Sequence, residues 1–92
     1  MIAVYYRTAE SIQRDPLAFK TPEEGLNKDD YEFVTRLGDI SLEQAFEEMN
    51  VVDGTELPVR LGVRSMMTGD VVVDEDGDVW FCAMAGWEQT GW

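Results

Sequence analysis

The sequence contains no histidine, a single cysteine, two lysines and no long apolar run. Without histidine, the chain lacks the commonest general base and metal ligand at neutral pH. Cys82 has no second cysteine with which to form an internal disulfide, and its place in an alternating strand pattern favours a buried, inert thiol over a reactive one. No segment approaches the ~20 apolar residues of a transmembrane helix, and the first residues do not resemble a signal peptide. These features predict a cytoplasmic protein that is not an enzyme and binds no cofactor or metal.

Positive charge is also scarce. The chain has 7 basic and 19 acidic residues, which gives a formal net charge of −12. The excess is greatest over residues 21–56, where eleven acidic and two basic side chains give a net charge of −9. Such a charge disfavours direct binding to nucleic acid or to an anionic membrane, and it favours a basic protein partner. It also fits a proteome adapted to high salt. Since 45% of the residues are hydrophobic, the chain has enough apolar area for a folded core.

The length predicts one domain over residues 1–92. Alternating apolar residues predict strands at Ile2–Arg7 and Tyr31–Leu37, the latter with Tyr31, Phe33, Thr35 and Leu37 on one face. Residues 64–84 predict a β-hairpin, in which two strands flank a tight turn at Asp76 and Gly77.

One helix is predicted over Ser41–Asn50. Ser41 and Gln44 form a capping-box pattern at its start. Its apolar residues recur at helical spacing and share one face, and they are Leu42, Ala45, Phe46 and Met49. Phe46 is predicted to be the main core contact. The predicted fold class is α+β, a small, mostly antiparallel twisted sheet of three to five strands with this helix packed on one face.

Three further segments carry local predictions. Thr21–Gly25 and Ser65–Thr68 each predict a single helical turn. Leu57–Arg64 alternates, but Pro58 places it at the edge of a sheet or outside it.

The acidic cluster around Gly77 invites comparison with a calcium-binding loop. When Gly77 is aligned with the glycine of an EF-hand, Val72 and Ala83 fall on two of the ligand positions, where oxygen ligands are needed. The cluster therefore predicts a solvated hairpin turn, with weak, adventitious cation binding as the alternative.

The acidic face of the predicted helix is the first candidate binding surface. Asp39, Glu43 and Glu47 recur every four residues, which on a helix spaces carboxylates by about 6 Å. Such a row can imitate a nucleic-acid backbone and bind a basic channel. Four further acidic residues extend the candidate surface: Glu48, Asp29, Asp30 and Glu32. The alternative is a plain solvated face.

The tryptophans near the C-terminal end form the second candidate surface. Trp87 and Trp92 are separated by glycine and polar residues. Either they cover the open end of the sheet, or they form an exposed aromatic pair that contacts another protein.

Short motifs over residues 40–88 resemble the YodL-like domains of bacteria, phages and mobile elements. The resemblance rests on Leu42-Glu43 with Phe46, on Met49-Asn50, on Arg64-Ser65-Met66, on Gly69-Asp70-Val71-Val72 and on Gly86-Trp87. It implies a phage, plasmid or integrated-element origin and no particular activity.

The sequence therefore predicts a non-catalytic acidic protein-binding factor that engages a basic, nucleic-acid-handling host protein. A narrower form of this hypothesis is a nucleic-acid mimic or defence inhibitor. The alternative is a structural or accessory domain of a salt-adapted or mobile-element proteome, whose acidity serves solubility alone. The identity of the partner and the oligomeric state stay open.

Overall fold

The computed structural model of the chain describes residues 1–16, 25–50, 61–84 and 86–92. These residues form five strands and two α-helices, and a 3-10 turn at Lys28–Asp30 precedes the second strand. The elements are β1 (Ile2–Arg7), α1 (Ala9–Arg14), β2 (Tyr31–Leu37), α2 (Leu42–Glu48), β3 (Val71–Val73), β4 (Val79–Ala83) and β5 (Gly86–Thr90). The prediction for Thr21–Gly25 lies outside the described residues except at Gly25. The first half of Leu57–Arg64 also lies outside them, and its described residues 61–64 form no strand.

The five strands form one sheet in the order β2-β1-β3-β4-β5, and every neighbouring pair is antiparallel. The predicted α+β class, with a helix on an antiparallel sheet, is therefore confirmed. Because side chains alternate along a strand, the sheet has two faces. On the helix face, Val4 and Val72 pack against α2 through Ala45 and Met49. On the opposite face, a second cluster contains Leu26, Val71, Val79 and Phe81.

Helix α2 begins as the sequence predicts. The Ser41 side chain accepts a hydrogen bond from the backbone N–H of Gln44, and the Gln44 side chain accepts one from the N–H of Ser41. The prediction that Phe46 is the main core contact is wrong, because Phe46 is 39% exposed whereas Ala45 and Met49 are fully buried. Successive helical residues are rotated by about 100°, so a helix that directs Ala45 at the sheet turns Phe46 towards its margin.

Strand β2 contains an irregularity that changes which side chains share a face. Val4 pairs with Thr35 and Tyr5 pairs with Phe33, so Val34 is an extra residue in the ladder. As a result Phe33 lies on the face opposite α2, where its ring contacts Tyr5 at a centroid distance of 5.7 Å. The prediction of a single shared face is therefore wrong for Tyr31 and Phe33, although Leu37 lies on the helix face.

The predicted hairpin is confirmed by the pairing of β3 with β4, in which Val71 faces Phe81 and Val73 faces Val79. Its turn is held by Asp74, whose Oδ1 accepts hydrogen bonds from the backbone N–H groups of Asp76 and Asp78. Before the hairpin, the helical turn predicted at Ser65–Thr68 is not formed. Residues 63–67 are instead irregular, and the N–H of Asp70 bonds to the carbonyl of Met67 at 3.1 Å.

Candidate functional site

A groove of about 350 Å³ lies between α2 and the β5 end of the sheet. Helix α2 packs over the centre of the sheet through Ala45 and Met49, which leaves an open space between its outer side and the last two strands. The described residues that line this acidic groove are Glu43, Phe46, Glu47, Cys82, Ala83, Met84, Gly86 and Trp87.

Apolar side chains form much of the acidic groove. Phe46 is 39% exposed and Met84 is 69% exposed, although both are large hydrophobic residues. Trp87 is half-buried and packs against the core of the helix face. Adjoining exposed apolar side chains of this kind are typical of a contact surface for another molecule.

Two carboxylates stand beside these apolar residues. Glu43 and Glu47 are four residues apart on α2, and both are exposed. No basic residue is among the described residues that line the groove. The described lining of the groove therefore combines apolar contact area with negative charge, which complements a segment with both apolar and basic side chains.

Cys82 contributes a thiol to the groove wall. The thiol is buried, and burial raises its pKa to about 11, with a smaller contribution from the negative charge of Asp70. A thiol with a raised pKa is a poor nucleophile at neutral pH. Cys82 therefore supplies packing to the groove.

Asp39 does not continue the row of carboxylates on α2, because the helix begins only at Leu42. It lies beside the β3–β4 turn, where its carboxylate is 3.0 Å from the α-ammonium of Met1, which also contacts Glu75. The pKa of Asp39 is lowered by side-chain hydrogen bonding to Glu75 and to that ammonium. The predicted spacing of three carboxylates thus holds for Glu43 and Glu47 alone.

The other predicted acidic residues lie in different places. Glu48 is an exposed residue of α2. Asp29 and Asp30 belong to the 3-10 turn, and Asp30 forms an ion pair with Arg14 at 2.6 Å. Glu32 lies in β2, at the edge of the sheet opposite β5. Asp29, Asp30 and Glu32 therefore lie away from the acidic groove, and Glu48 is not among the described residues that line it.

The two tryptophans are on opposite faces of the sheet. Trp87 lines the acidic groove, whereas the ring of Trp92 lies 5.2 Å from Tyr5 and 5.4 Å from Tyr31, measured between centroids. Lys28 Nζ lies 5.7 Å from the centre of the Trp92 ring. Trp92 therefore contacts two aromatic residues of the sheet and stays 38% exposed, and Trp87 lines the groove.

A buried carboxylate, which the sequence analysis did not single out, fixes the segment before β3. Asp70 is fully buried and accepts two hydrogen bonds from the Arg64 guanidinium, at 2.7 and 2.9 Å. It also accepts hydrogen bonds from the backbone N–H groups of Arg7 and Met67. The hydrogen bond to Asp70 raises the pKa of Arg64, whose guanidinium lies 4.3 Å from the centre of the Tyr6 ring. All of these donors are internal, so the role of Asp70 is structural.

The acidic turn brings three carboxylates together. One oxygen from each of Asp74, Asp76 and Asp78 lies within 4.8 Å of the others. Both oxygens of Asp74 already accept hydrogen bonds, since Oδ2 is bonded to Trp80 Nε1 at 2.9 Å and Oδ1 to the turn backbone. These bonds lower the pKa of Asp74, with Trp80 as the largest cause. The hydrogen bonds accepted by Asp74 fix the shape of the turn.

In the part of the chain that the structure describes, no helix is both long and apolar enough to span a membrane. Comparison with protein-family models, with curated proteins and with solved structures gives no match. The resemblance to YodL-like domains stays a prediction.

Proposed function

We propose that this protein is a non-catalytic binding factor that holds a basic segment of a protein partner in the acidic groove. The observation that carries the proposal is that exposed Phe46 and Met84 line one groove together with Glu43 and Glu47, and that no described residue of its lining is basic. This arrangement joins the acidic helix face and the Trp87 surface, which the sequence presents as two separate candidates.

The two kinds of lining residue have different energetic roles. Burying one large apolar side chain contributes about 1.5–3 kcal/mol, so Phe46, Met84 and Trp87 would supply most of the affinity. An exposed ion pair contributes about 0.2–1 kcal/mol, which makes Glu43 and Glu47 more important for selecting a basic partner and for speeding association. Binding would therefore weaken with salt without being abolished by it.

A nucleic-acid-handling protein is the partner class that we favour. Such proteins carry basic surfaces, and a chain with a net charge of −12 is attracted to them. The resemblance to domains of phages and mobile elements supports a host protein as the target. Mimicry of a phosphate backbone is a narrower form of the proposal. Of the three carboxylates in the predicted row, only those of Glu43 and Glu47 lie on α2, so the row offers two regularly spaced charges for such mimicry.

The test is a comparison of captured proteins between three immobilised baits in host lysate. The baits are the wild type, Glu43→Lys/Glu47→Lys, and a control, Glu10→Lys/Asp76→Lys, which has the same net charge but leaves the groove intact. We expect the wild type and the control to retain one basic protein that the groove variant loses, and we expect rising salt to weaken its retention without releasing it completely. Circular dichroism and thermal unfolding would establish that all three baits are folded.

Two results would contradict the proposal. Retention of the same proteins by the groove variant would show that Glu43 and Glu47 are not part of a binding surface. Loss of capture with both the groove variant and the control would indicate that net charge alone is responsible, as the solubility alternative requires. Release of the captured protein by added DNA would identify its nucleic-acid-binding surface as the contact.

A further inference from the structure

We infer that a cleft beside β2 binds a small zwitterion, an α-amino acid with an aliphatic side chain, through Glu32, Arg64 and the hydroxyl group of Tyr6. This second site is separate from the acidic groove and does not depend on the proposed function. The inference follows from three features of the cleft: a buried hydroxyl group without a partner, two opposite charges that do not form an ion pair, and an apolar wall.

The cleft has a volume of about 410 Å³ and lies between β2 and the segment that precedes β3. This volume is within the range of small-molecule sites, about 300–1,000 Å³. The described residues that line this β2 cleft are Tyr6, Arg7, Glu32, Phe33, Val34, Gly62, Val63 and Arg64. None of them lines the acidic groove, so a ligand of the cleft would not compete directly with a partner in the groove.

The hydroxyl group of Tyr6 is the first feature that indicates a ligand. Tyr6 is 4% exposed, and its Oη is buried without a hydrogen-bond partner. Buried polar groups in folded proteins normally have a partner, so such an exception calls for an explanation. Burial raises the pKa of Tyr6, and the negative charge of Asp70 raises it further, so the hydroxyl group stays protonated at neutral pH. Because Tyr6 lines the cleft, a ligand bound there can supply the missing acceptor.

The charges of the cleft are the second feature. Glu32 pairs with Tyr6 across β2 and β1, so the carboxylate and the phenol project from the same face of the sheet. Glu32 is exposed and forms no ion pair with another described residue. The largest cause of the raised pKa of Arg64 is its hydrogen bond to Asp70, and the charge of Glu32 adds to it. A carboxylate and a guanidinium therefore lie near each other in the cleft without forming an ion pair.

The guanidinium of Arg64 has donors to offer a ligand. Its bonds to Asp70 and to the carbonyl of Ser65 use three N–H groups, and a guanidinium has five. The Arg64 side chain is also 34% exposed, whereas the carboxylate of Asp70 behind it is fully buried. A ligand in the cleft would therefore meet the guanidinium and not its internal partner.

These two charges together complement a ligand that carries both signs. At neutral pH an α-amino acid has a carboxylate and an ammonium group attached to the same carbon. The carboxylate would accept hydrogen bonds from Arg64 and from the Tyr6 hydroxyl group, and the ammonium group would donate to Glu32. A simple anion would meet Glu32, and a simple amine would meet Arg64, so each would face a like charge. A zwitterion has no net charge, so the net charge of −12 does not oppose its binding.

The apolar wall of the cleft favours an aliphatic amino acid. Val34 and Val63 line the cleft, and both are half-buried against the core of the helix face. Burial of each CH2 group on such a wall favours binding, because it removes apolar surface from water. The ligands that combine this contact with both charged groups are valine, leucine and isoleucine.

The test is an NMR titration of the 15N-labelled protein with L-valine, L-leucine and L-isoleucine. Two further compounds each lack one charged group of leucine: 4-methylpentanoate lacks the ammonium group, and 3-methylbutylamine lacks the carboxylate. We expect at least one of the amino acids to give saturable shifts of amides in residues 6–7, 32–34 and 62–64. We expect each of the two single-charge compounds to bind at least about tenfold more weakly than leucine, because each loses charge-assisted hydrogen bonds.

Three variants connect binding to particular groups. Tyr6→Phe keeps the ring and removes the hydroxyl group, and Glu32→Gln removes the negative charge. Each should raise the Kd of the tightest-binding amino acid about tenfold. Because the Tyr6 hydroxyl group has no partner in the free protein, Tyr6→Phe should not lower the temperature of thermal unfolding. The matched control is Glu48→Gln, which removes the same charge from an exposed residue outside the described lining and should leave the Kd unchanged.

Four results would overturn the inference. The first is the absence of cleft shifts with all three amino acids. The second is equal binding of either single-charge compound, which would show that one charge is sufficient. The third is a set of shifts confined to the residues of the acidic groove, which would assign the ligand to that surface. The fourth is unchanged affinity in both Tyr6→Phe and Glu32→Gln, which would show that neither group contacts the ligand.

Discussion

Replacing Asp70 by Asn is expected to destabilise the protein more than any substitution of an exposed carboxylate. Oδ1 accepts from Arg7 N and from Arg64 Nη2, and Oδ2 accepts from Arg64 Nη1 and from Met67 N. Whichever oxygen becomes an amide NH2, it will face one guanidinium donor and one backbone donor. The substitution also removes the negative charge that compensates Arg64.

The expected loss follows from the burial of the pair. Removing one partner of a buried ion pair costs about 3–5 kcal/mol. Asp70 is fully buried but the Arg64 side chain is 34% exposed, so water offsets part of the loss and we expect about 3 kcal/mol. For a domain of 92 residues the whole free energy of unfolding is about 5–14 kcal/mol. Urea unfolding followed by circular dichroism would measure the difference from the midpoint, provided that the m value is unchanged.

The matched control is Asp30→Asn, which breaks an ion pair of similar length at the surface. Arg14 and Asp30 are 2.6 Å apart, with 62% and 28% of their side chains exposed. Such a pair contributes about 0–1 kcal/mol. If Asp70→Asn cost no more than Asp30→Asn, Asp70 would not be the structural centre that its hydrogen bonds indicate.

Three further perturbations test other parts of the molecule. Gly77 has a φ of 85°, and no atom lies within 4 Å of the position that a Cβ would occupy, so Gly77→Ala should lower the free energy of unfolding by about 1–2 kcal/mol through backbone strain alone. Gly38→Ala, at a site with equal space and no positive φ, should not change it. Equal effects of the two substitutions in urea unfolding would contradict the conformational explanation. Trp80→Phe removes the largest cause of the lowered pKa of Asp74, so an NMR titration should show that pKa rising towards 3.8; an unchanged value would exclude this hydrogen bond as the cause. The folded-state pKa of Asp74 lies below its ordinary value, so the ionised Asp74 carboxylate stabilises the folded protein above about pH 4. This stabilisation is lost as the pH falls through the lowered pKa, and Trp80→Phe should reduce that acid dependence. Since the Cys82 pKa is raised from 9.0 to about 11, its alkylation at pH 8 should be at least ~100-fold slower in the folded protein than in urea; comparable rates would contradict burial.

Local periodicity predicts the elements whose side chains alternate cleanly. The bounds of β1 and β2 agree with the sequence pattern, and the capping box of α2 follows from the spacing of Ser41 and Gln44. The hairpin is equally local, because its turn is closed by residues only a few positions apart. Such elements are predictable because each depends on neighbours in the sequence.

Elements that depend on distant partners were not predicted. Strand β5 contains Gly86 and Glu88, two residue types that are depleted in strands, and it forms by pairing with β4. The extra residue at Val34 is needed to match β2 to β1, and no local pattern shows it. The sequence contains one indication of the buried ion pair, because Asp70 stands alone at the start of a valine strand and Arg64 lies six residues before it. The burial of Asp70 depends on the packing of β1, whose Arg7 N–H donates to its carboxylate, and no local pattern shows that packing.

The candidate site was predicted in separate pieces. The sequence identifies Glu43, Glu47 and Trp87, but only the packing of α2 on the sheet brings them to one groove. The sequence pattern predicts Phe46 as a core contact, and it places Met84 at the end of the predicted hairpin. Their exposure depends on the rotation of α2 and on the end of β4, which sequence periodicity does not define closely enough.

The first strand of the chain is the middle strand of the β2-β1-β3 part of the sheet, and this order affects how the protein is made. Val4 pairs with Val72, which is synthesised 68 positions later, so at about 5–20 residues per second β1 waits roughly 3–14 s for that neighbour. During this interval Ile2, Val4 and Tyr6 lack their final covering. A short apolar segment with high strand propensity is prone to aggregate while it is exposed. Yield in the cell should therefore depend on how quickly the ribosome reaches β3 and on whether a chaperone shields β1 until then.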